Sequence, residues 1–167
     1  MVERSKVMVR EARESDLKAL EWEGRYQHFR RLYRRAMTEA QRGRRILLVA
    51  EVDGRIVGQI FIQLASGRAE LADGQRSGYL YAFRVRPSFR GQGIGSQLLD
   101  AAEEALRIRA FERAVIAVAQ DNPAALRLYE NHEYLRFAED PGEWSYIDHR
   151  GRLQRVSEPA YILEKRL

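Results

Sequence analysis

The chain has no cysteine, only three lysines (Lys6, Lys18 and Lys165) and no long uninterrupted apolar run. Each absence closes a class of explanation. Without cysteine there is no disulfide framework and no thiol nucleophile. No run is long enough to cross a bilayer as a helix. The opening Met1-Val2-Glu3-Arg4-Ser5-Lys6 also lacks the apolar core of a signal peptide. The expectation is a cytoplasmic protein with no membrane partner. Gly-x-Ser-x-Gly is missing as well, which argues against a covalent acyl-enzyme. His28, His132 and His149 are scattered without ligand spacing, so no metal site is expected. The dinucleotide fingerprint G-x-G-x-x-G and the P-loop ending Gly-Lys-Ser/Thr are absent too.

What is present describes one globular unit. A chain of 167 residues, 45% hydrophobic and 32% charged, suits a single domain over residues 1–167 with one sizeable core. Basic residues outnumber acidic ones 29 to 24 for a net charge of +5, nearly all of the positive charge being arginine. Its planar fork suits phosphates and carboxylates.

The organising stretch is Val85-Arg86-Pro87-Ser88-Phe89-Arg90-Gly91-Gln92-Gly93-Ile94-Gly95-Ser96. The run Tyr79 to Val85 before it reads as a strand. After it, Ile94, Leu98, Leu99, Ala102, Ala105 and Leu106 recur at helical spacing. A strand, a glycine turn and a helix start leave free N–H groups at the positive end of a helix dipole, which is a phosphate cradle. A glycine-rich connection with no ligand is the other reading of the same residues.

Taken in order, Val7 to Arg10 reads as a strand, and Ser15 or Asp16 can cap a helix from Leu17. A helix over Tyr26 to Gln41 follows Gly24. The arginines along and after it form either a solvated face or a surface for an anionic acceptor or nucleic acid. Nucleic acid is the weaker option, since no binding motif accompanies them. Ile46–Val52 and Ile56–Leu64 flank an Asp53-Gly54 hairpin turn, with a bulge or bend at Gly58. Residues 66–78 read as a loop. Ala114–Ala119 is a buried, parallel strand, and Pro123 starts another helix. Tyr134–Phe137 and Ala160–Lys165 are strands. Between them, 144–147 and 153–156 can pair across His149-Arg150-Gly151. The class is α/β with a mixed sheet.

Arg90-x-x-Gly93-x-Gly95 resembles the acetyl-CoA signature of the GNAT superfamily of N-acetyltransferases, Gln/Arg-x-x-Gly-x-Gly/Ala. Asn122-Pro123-Ala124-Ala125-Leu126-Arg127-Leu128-Tyr129-Glu130 resembles a second stretch of that family. The element order is similar from Val7 to Lys165. The resemblance implies a mostly antiparallel twisted sheet of about seven strands flanked by helices, with a central parallel pair splayed apart. It implies acetyl-CoA as co-substrate and direct transfer to a primary amine, with a homodimer left open. By the same resemblance the main chain of Phe83, Arg84 and Val85 pairs with pantetheine, and the Val85 N–H polarises the thioester carbonyl. The turn Arg90, Gly91, Gln92, Gly93, Ile94, Gly95 and Ser96 takes the pyrophosphate. Asn122 bonds the pantetheine arm, and Tyr129 acts as general acid on the departing thiolate. A core aromatic is the plainer reading of Tyr129.

The strand 114–119 lacks the carboxylate that some relatives use as general base. Tyr79 and Tyr81 are candidate proton relays, though a phenol of ordinary pKa is a poor base near neutrality, and Glu51 is either another candidate base or a strand-face residue. Trp144, Tyr146 and Tyr161 are candidate acceptor contacts. A non-catalytic acyl-CoA sensor and a nucleic-acid-associated protein are the rival functions.

Overall fold

The structure, a computed structural model, describes residues 6–167. Strand β1 (Val7–Glu11) leads through 3-10 segments at Glu14–Glu21 and Gln27–Phe29 into α1 (Arg30–Gln41). The hairpin β2 (Arg45–Val52) and β3 (Arg55–Gln63) follows, then β4 (Ser77–Val85) and α2 (Ile94–Ile108). The chain continues as β5 (Arg113–Ala119), α3 (Pro123–Asn131) and β6 (Leu135–Asp140). It closes with β7 (Glu143–Ile147), β8 (Leu153–Ser157) and β9 (Ala160–Arg166).

Seven strands form one sheet in the order β1-β2-β3-β4-β5-β9-β6, and β7 with β8 make a separate hairpin. Every neighbour in the sheet is antiparallel except β4 and β5. Apolar residues of β2 and β3 are buried on both faces because helices cover both. Leu98, Leu99, Ala102 and Leu106 of α2 pack on one face with Ile46, Leu48, Ile60 and Leu80. Tyr33, Ala36 and Met37 of α1 pack on the other with Leu47, Val49 and Phe61. The buried carboxylate of Glu103 fastens α2 to the far side of the sheet, accepting from Tyr134 Oη at 2.9 Å and Lys165 Nζ at 2.8 Å. None of the described helices is long and apolar enough to cross a membrane.

The segment expected as a helix from Leu17 is instead a 3-10 helix. Asp16 does not stand at its N-cap but reaches back, accepting from the Arg13 N–H at 2.7 Å and from both ends of the Arg10 guanidinium. At the other end Arg86 donates to the Ala19 carbonyl and to Glu23. The segment is thus pinned at both ends, by Arg10 of β1 and by Arg86 just past β4.

Where β4 lies against α2 there is room for glycine only. A Cβ on Gly78 would sit 2.5 Å from Leu106 Cδ2, which is itself fully buried. Overpacking of this kind costs about 1–3 kcal/mol. Gly78→Ala is therefore expected to lower the melting temperature by roughly 2–4 °C per kcal/mol lost. A thermal melt that matches the wild type would disprove the contact.

Candidate functional site

The sheet opens at its centre. Parallel pairing of β4 with β5 runs from Ser77↔Arg113 to Leu80↔Ile116 and ends there. Beyond that point each strand keeps only its outer neighbour: β4 pairs with β3, and Ala117 to Ala119 pair with β9. The cause lies in β4. The register against β3 shifts between Gln59 and Phe61, and Ala82 takes a left-handed conformation with φ of 50°. One extra residue in a strand reverses which face the following side chains occupy. Tyr79 and Tyr81 point to one face. After the bulge, Phe83 and Val85 pack toward α2 and α3 with Leu80, while Arg84 turns to the α1 face.

The bulge also sorts the main chain. The Arg86 N–H bonds the Val57 carbonyl at 2.8 Å, and Arg84 is register partner of Gln59. Antiparallel alternation then turns the Arg84 peptide groups to β3 and those of Phe83 and Val85 to the gap. Of the three residues expected to pair with a ligand through their backbone, Phe83 and Val85 keep groups for it. The Val85 carbonyl is already engaged by Arg90 Nε at 3.0 Å. Arg90 thereby ties the turn to the end of β4.

The turn itself presents donors. Gly93 is the N-cap of α2 with φ of 82° and no side-chain cap. Among the described residues none accepts a hydrogen bond from the N–H of Gly91, Gln92, Gly93, Ile94, Gly95 or Ser96. In front of Gly91 and Gly93 there is open space, since an added Cβ would meet nothing within 4 Å. Gly95 seats the turn, its Cβ position lying 3.5 Å from Phe83 Cζ and 3.6 Å from Leu128 Cδ2. The Ser96 hydroxyl lies 3.0 Å from His132 Nε2, and His132 Nδ1 is 3.6 Å from Asp100.

On the other side of the gap stands α3. Asn122 is its N-cap, accepting from the Ala125 N–H at 3.2 Å, so its amide NH₂ is left to donate outward. Tyr129 is buried with its ring 6.1 Å from that of Phe83. Its hydroxyl has no hydrogen-bond partner among the described residues and is not sealed from solvent either. Burial, with a smaller push from Tyr79, raises its pKa well above the ordinary phenol value. The phenol therefore stays protonated near neutrality.

The candidate bases are less free. Glu51 forms an ion pair with Arg10 at 3.5 Å. Burial pushes the Tyr79 phenol up to about 12, so it can pass a proton but does not take one near pH 7. Tyr81 accepts from Arg45 at 2.7 Å and stacks on Tyr79 with ring centroids 5.9 Å apart. Trp144 and Tyr146 of β7 reach the α1 side, where both meet Phe29. Tyr161 packs under Arg136 at 4.2 Å.

Several members of this neighbourhood escape sequence reasoning. His132 is an isolated histidine three residues after Tyr129, and only the fold brings it to Ser96. Gln59, Tyr33 and Arg84 lie far apart in the chain yet meet on one face. His28 shows no ligand spacing in the sequence. It sits 4.2 Å from the Phe29 ring, and burial, followed by the charge of Arg84, lowers its pKa and keeps it neutral at pH 7. Ala82 carries no mark at all, since alanine has no preference for a left-handed backbone.

Comparison with known proteins places this arrangement. An acetyltransferase of Pectobacterium atrosepticum is 38% identical over 89 residues, 53% of this chain and 57% of that protein. One of Yersinia enterocolitica is 37% identical over the same length and shares. The chain thus spans a little over half the length of these relatives. Similarity of fold extends further. Ard1 from Thermoplasma volcanium superposes with a TM-score of 0.74 at 20% identity, covering 96% of this chain and 97% of that one. The PaiA N-acetyltransferase from Thermoplasma acidophilum, solved in complex with coenzyme A, gives 0.71 at 17% identity, with 97% and 99% covered. Residues 9–134 match the sequence model of the acetyltransferase (GNAT) family. With three quarters of its length inside that model and the sheet split between β4 and β5, the chain belongs to the acetyltransferase (GNAT) family.

Proposed function

We propose that residues 1–167 work as one acetyl-CoA-dependent N-acetyltransferase domain that passes the acetyl group directly to a primary amine. The observation that carries this reading is the run of unclaimed main-chain donors from Gly91 to Ser96, with the Val85 N–H turned to the gap beside it. A pyrophosphate satisfies such donors, and open space in front of Gly91 and Gly93 admits it. The residues present fit the group. Gly91, Gln92, Gly93, Ile94, Gly95 and Ser96 would hold the pyrophosphate. Phe83 and Val85 would pair with the pantetheine through the open edge of β4, and the Asn122 amide would close over it. Arg90 braces the turn against Val85. The co-substrate supplies an activated acyl group as a thioester. The Val85 N–H donates to the carbonyl oxygen, where negative charge grows. Tyr129 holds a proton on its phenol and delivers it to the departing sulfur, and the proton that the amine nitrogen sheds on acylation restores the phenol. Acceptor and donor react within one complex, and holding them together supplies much of the rate.

Calorimetry with acetyl-CoA is the direct test, followed by a free-thiol assay over a panel of amines. Binding together with amine-dependent thiol release is expected. No binding would refute the cofactor site. Binding without release for any amine would leave a sensor of acyl-CoA in place of an enzyme.

A further inference from the structure

Arg84 is a half-buried cation with no anion paired to it among the described residues. Its side chain lies on the α1 face with the guanidinium carbon 4.3 Å from the Tyr26 ring centre and 5.3 Å from that of Phe29. Its one hydrogen bond is to a neutral group, from Nη1 to Tyr33 Oη at 3.1 Å. No carboxylate among the described residues forms an ion pair with it. Asp148, the acid on the neighbouring hairpin turn, is fully used within that turn. It accepts from the Arg150 and Arg152 N–H groups and from Gln154 Nε2, each at 2.9 Å.

A second, independent observation lies beside it. Gln59 is register partner of Arg84 across β3 and β4, so the two side chains share a face. Gln59 is 1% exposed, and its Nε2 has no hydrogen-bond partner among the described residues. Tyr33, which accepts from Arg84, keeps its own hydroxyl hydrogen to donate. Arginine, amide and phenol therefore converge with the neutral Tyr33 oxygen as their shared acceptor and no carboxylate among the described residues to take the remaining donors. A buried amide N–H without a partner is costly, and a guanidinium fork is matched by a carboxylate.

We infer that Arg84, with Gln59 and Tyr33, holds the carboxylate of the acceptor, and that the acceptor is a free amino acid with an aromatic or large apolar side chain. The inference rests on the acetyltransferase reading above. Arg84 stands between Phe83 and Val85, whose main chain faces the gap. A carboxylate on Arg84 thus puts an α-amino group, one carbon away, close to where the acyl group would lie. The walls fit an apolar side chain: Phe29 meets Trp144 at 6.4 Å and Tyr146 at 5.2 Å, ring centre to ring centre.

The test is a calorimetric comparison of the common L-amino acids with their primary amides, with and without saturating coenzyme A. At least one aromatic or large apolar amino acid should bind about tenfold or more tightly than its amide, the scale of losing one partner of a charge pair. Arg84→Gln should erase that preference, and Arg84→Lys should restore part of it. Coenzyme A affinity of each variant, measured separately, verifies the fold. The inference is overturned if no free acid outbinds its amide in the wild type, or if the preference survives Arg84→Gln. It is also overturned if Arg84 instead governs a preference for succinyl-CoA over acetyl-CoA, since the carboxylate would then belong to the acyl group. Failure of the acetyltransferase reading looks different: coenzyme A does not bind, whatever the amino acids do.

Discussion

Gly93→Glu should weaken acetyl-CoA binding by about 100-fold or more, equivalent to roughly 3 kcal/mol. The residue caps α2 with φ of 82°, a backbone that glycine adopts freely and other residues adopt at a cost of about 1–2 kcal/mol. The space ahead of it is open, so a glutamate would not clash with the protein. Its carboxylate would instead satisfy the free donors of the turn and repel a pyrophosphate from them. Gly93→Ala separates the two contributions, because it carries the backbone strain without the charge. Alanine should lose far less affinity than glutamate while melting at a similar temperature. Equal losses in both variants would mean that the turn acts through its shape alone. Unchanged affinity in both would show that the donors do not meet the phosphates.

Tyr129→Phe should lower kcat by about 100-fold or more, within the range for loss of a positioned acid, and leave acetyl-CoA affinity within about twofold. Phenylalanine keeps the buried ring, and the hydroxyl it removes has no hydrogen-bond partner among the described residues. Stability should therefore change little. The pH profile gives a second readout. Burial holds the phenol pKa well above its ordinary value of about 10. A raised pKa keeps the acid protonated as pH rises, so Tyr129 should add no alkaline limb to kcat below about pH 10. A variant that turns over like the wild type would return Tyr129 to the role of a core aromatic.

The sheet was readable because its strands obey local rules. Asp53-Gly54 marked the β2–β3 hairpin, and both residues have positive φ. The continuous apolar run at 114–119 marked the one parallel pairing. Pro123 starts α3 as expected, and the hairpin expected across 149–151 is β7 with β8. What failed locally was the stretch from 14 to 21, where the 3-10 form follows from contacts with Arg10 and Arg86, one of them distant in the chain. The candidate site divides in the same way. The glycine turn is contiguous and so was visible. The bulge at Ala82 is a compromise between three strands, and no residue type announces it. Arg84 was assigned through its backbone, yet the bulge turns that backbone to β3 and the side chain to the opposite face. The meeting of Gln59, Tyr33 and Arg84 depends on strand register and helix packing, which single-sequence periodicity does not encode.

The hairpin of β7 and β8 stands outside the main sheet. A two-stranded ribbon alone is marginal in water, so its order derives from what it leans on. Trp144 and Tyr146 rest on Phe29, and His28 faces Tyr146 at 6.2 Å. These are ring contacts rather than a hydrogen-bonded ladder. Opening the hairpin breaks a few aromatic contacts and leaves all seven strands of the sheet paired. Regions so attached open at a small fraction of the global unfolding free energy. The wall over Arg84 can thus fluctuate often while the turn at Gly93, anchored to the core through Gly95 and α2, stays in register. Traffic on one face of the sheet is thereby decoupled from order on the other.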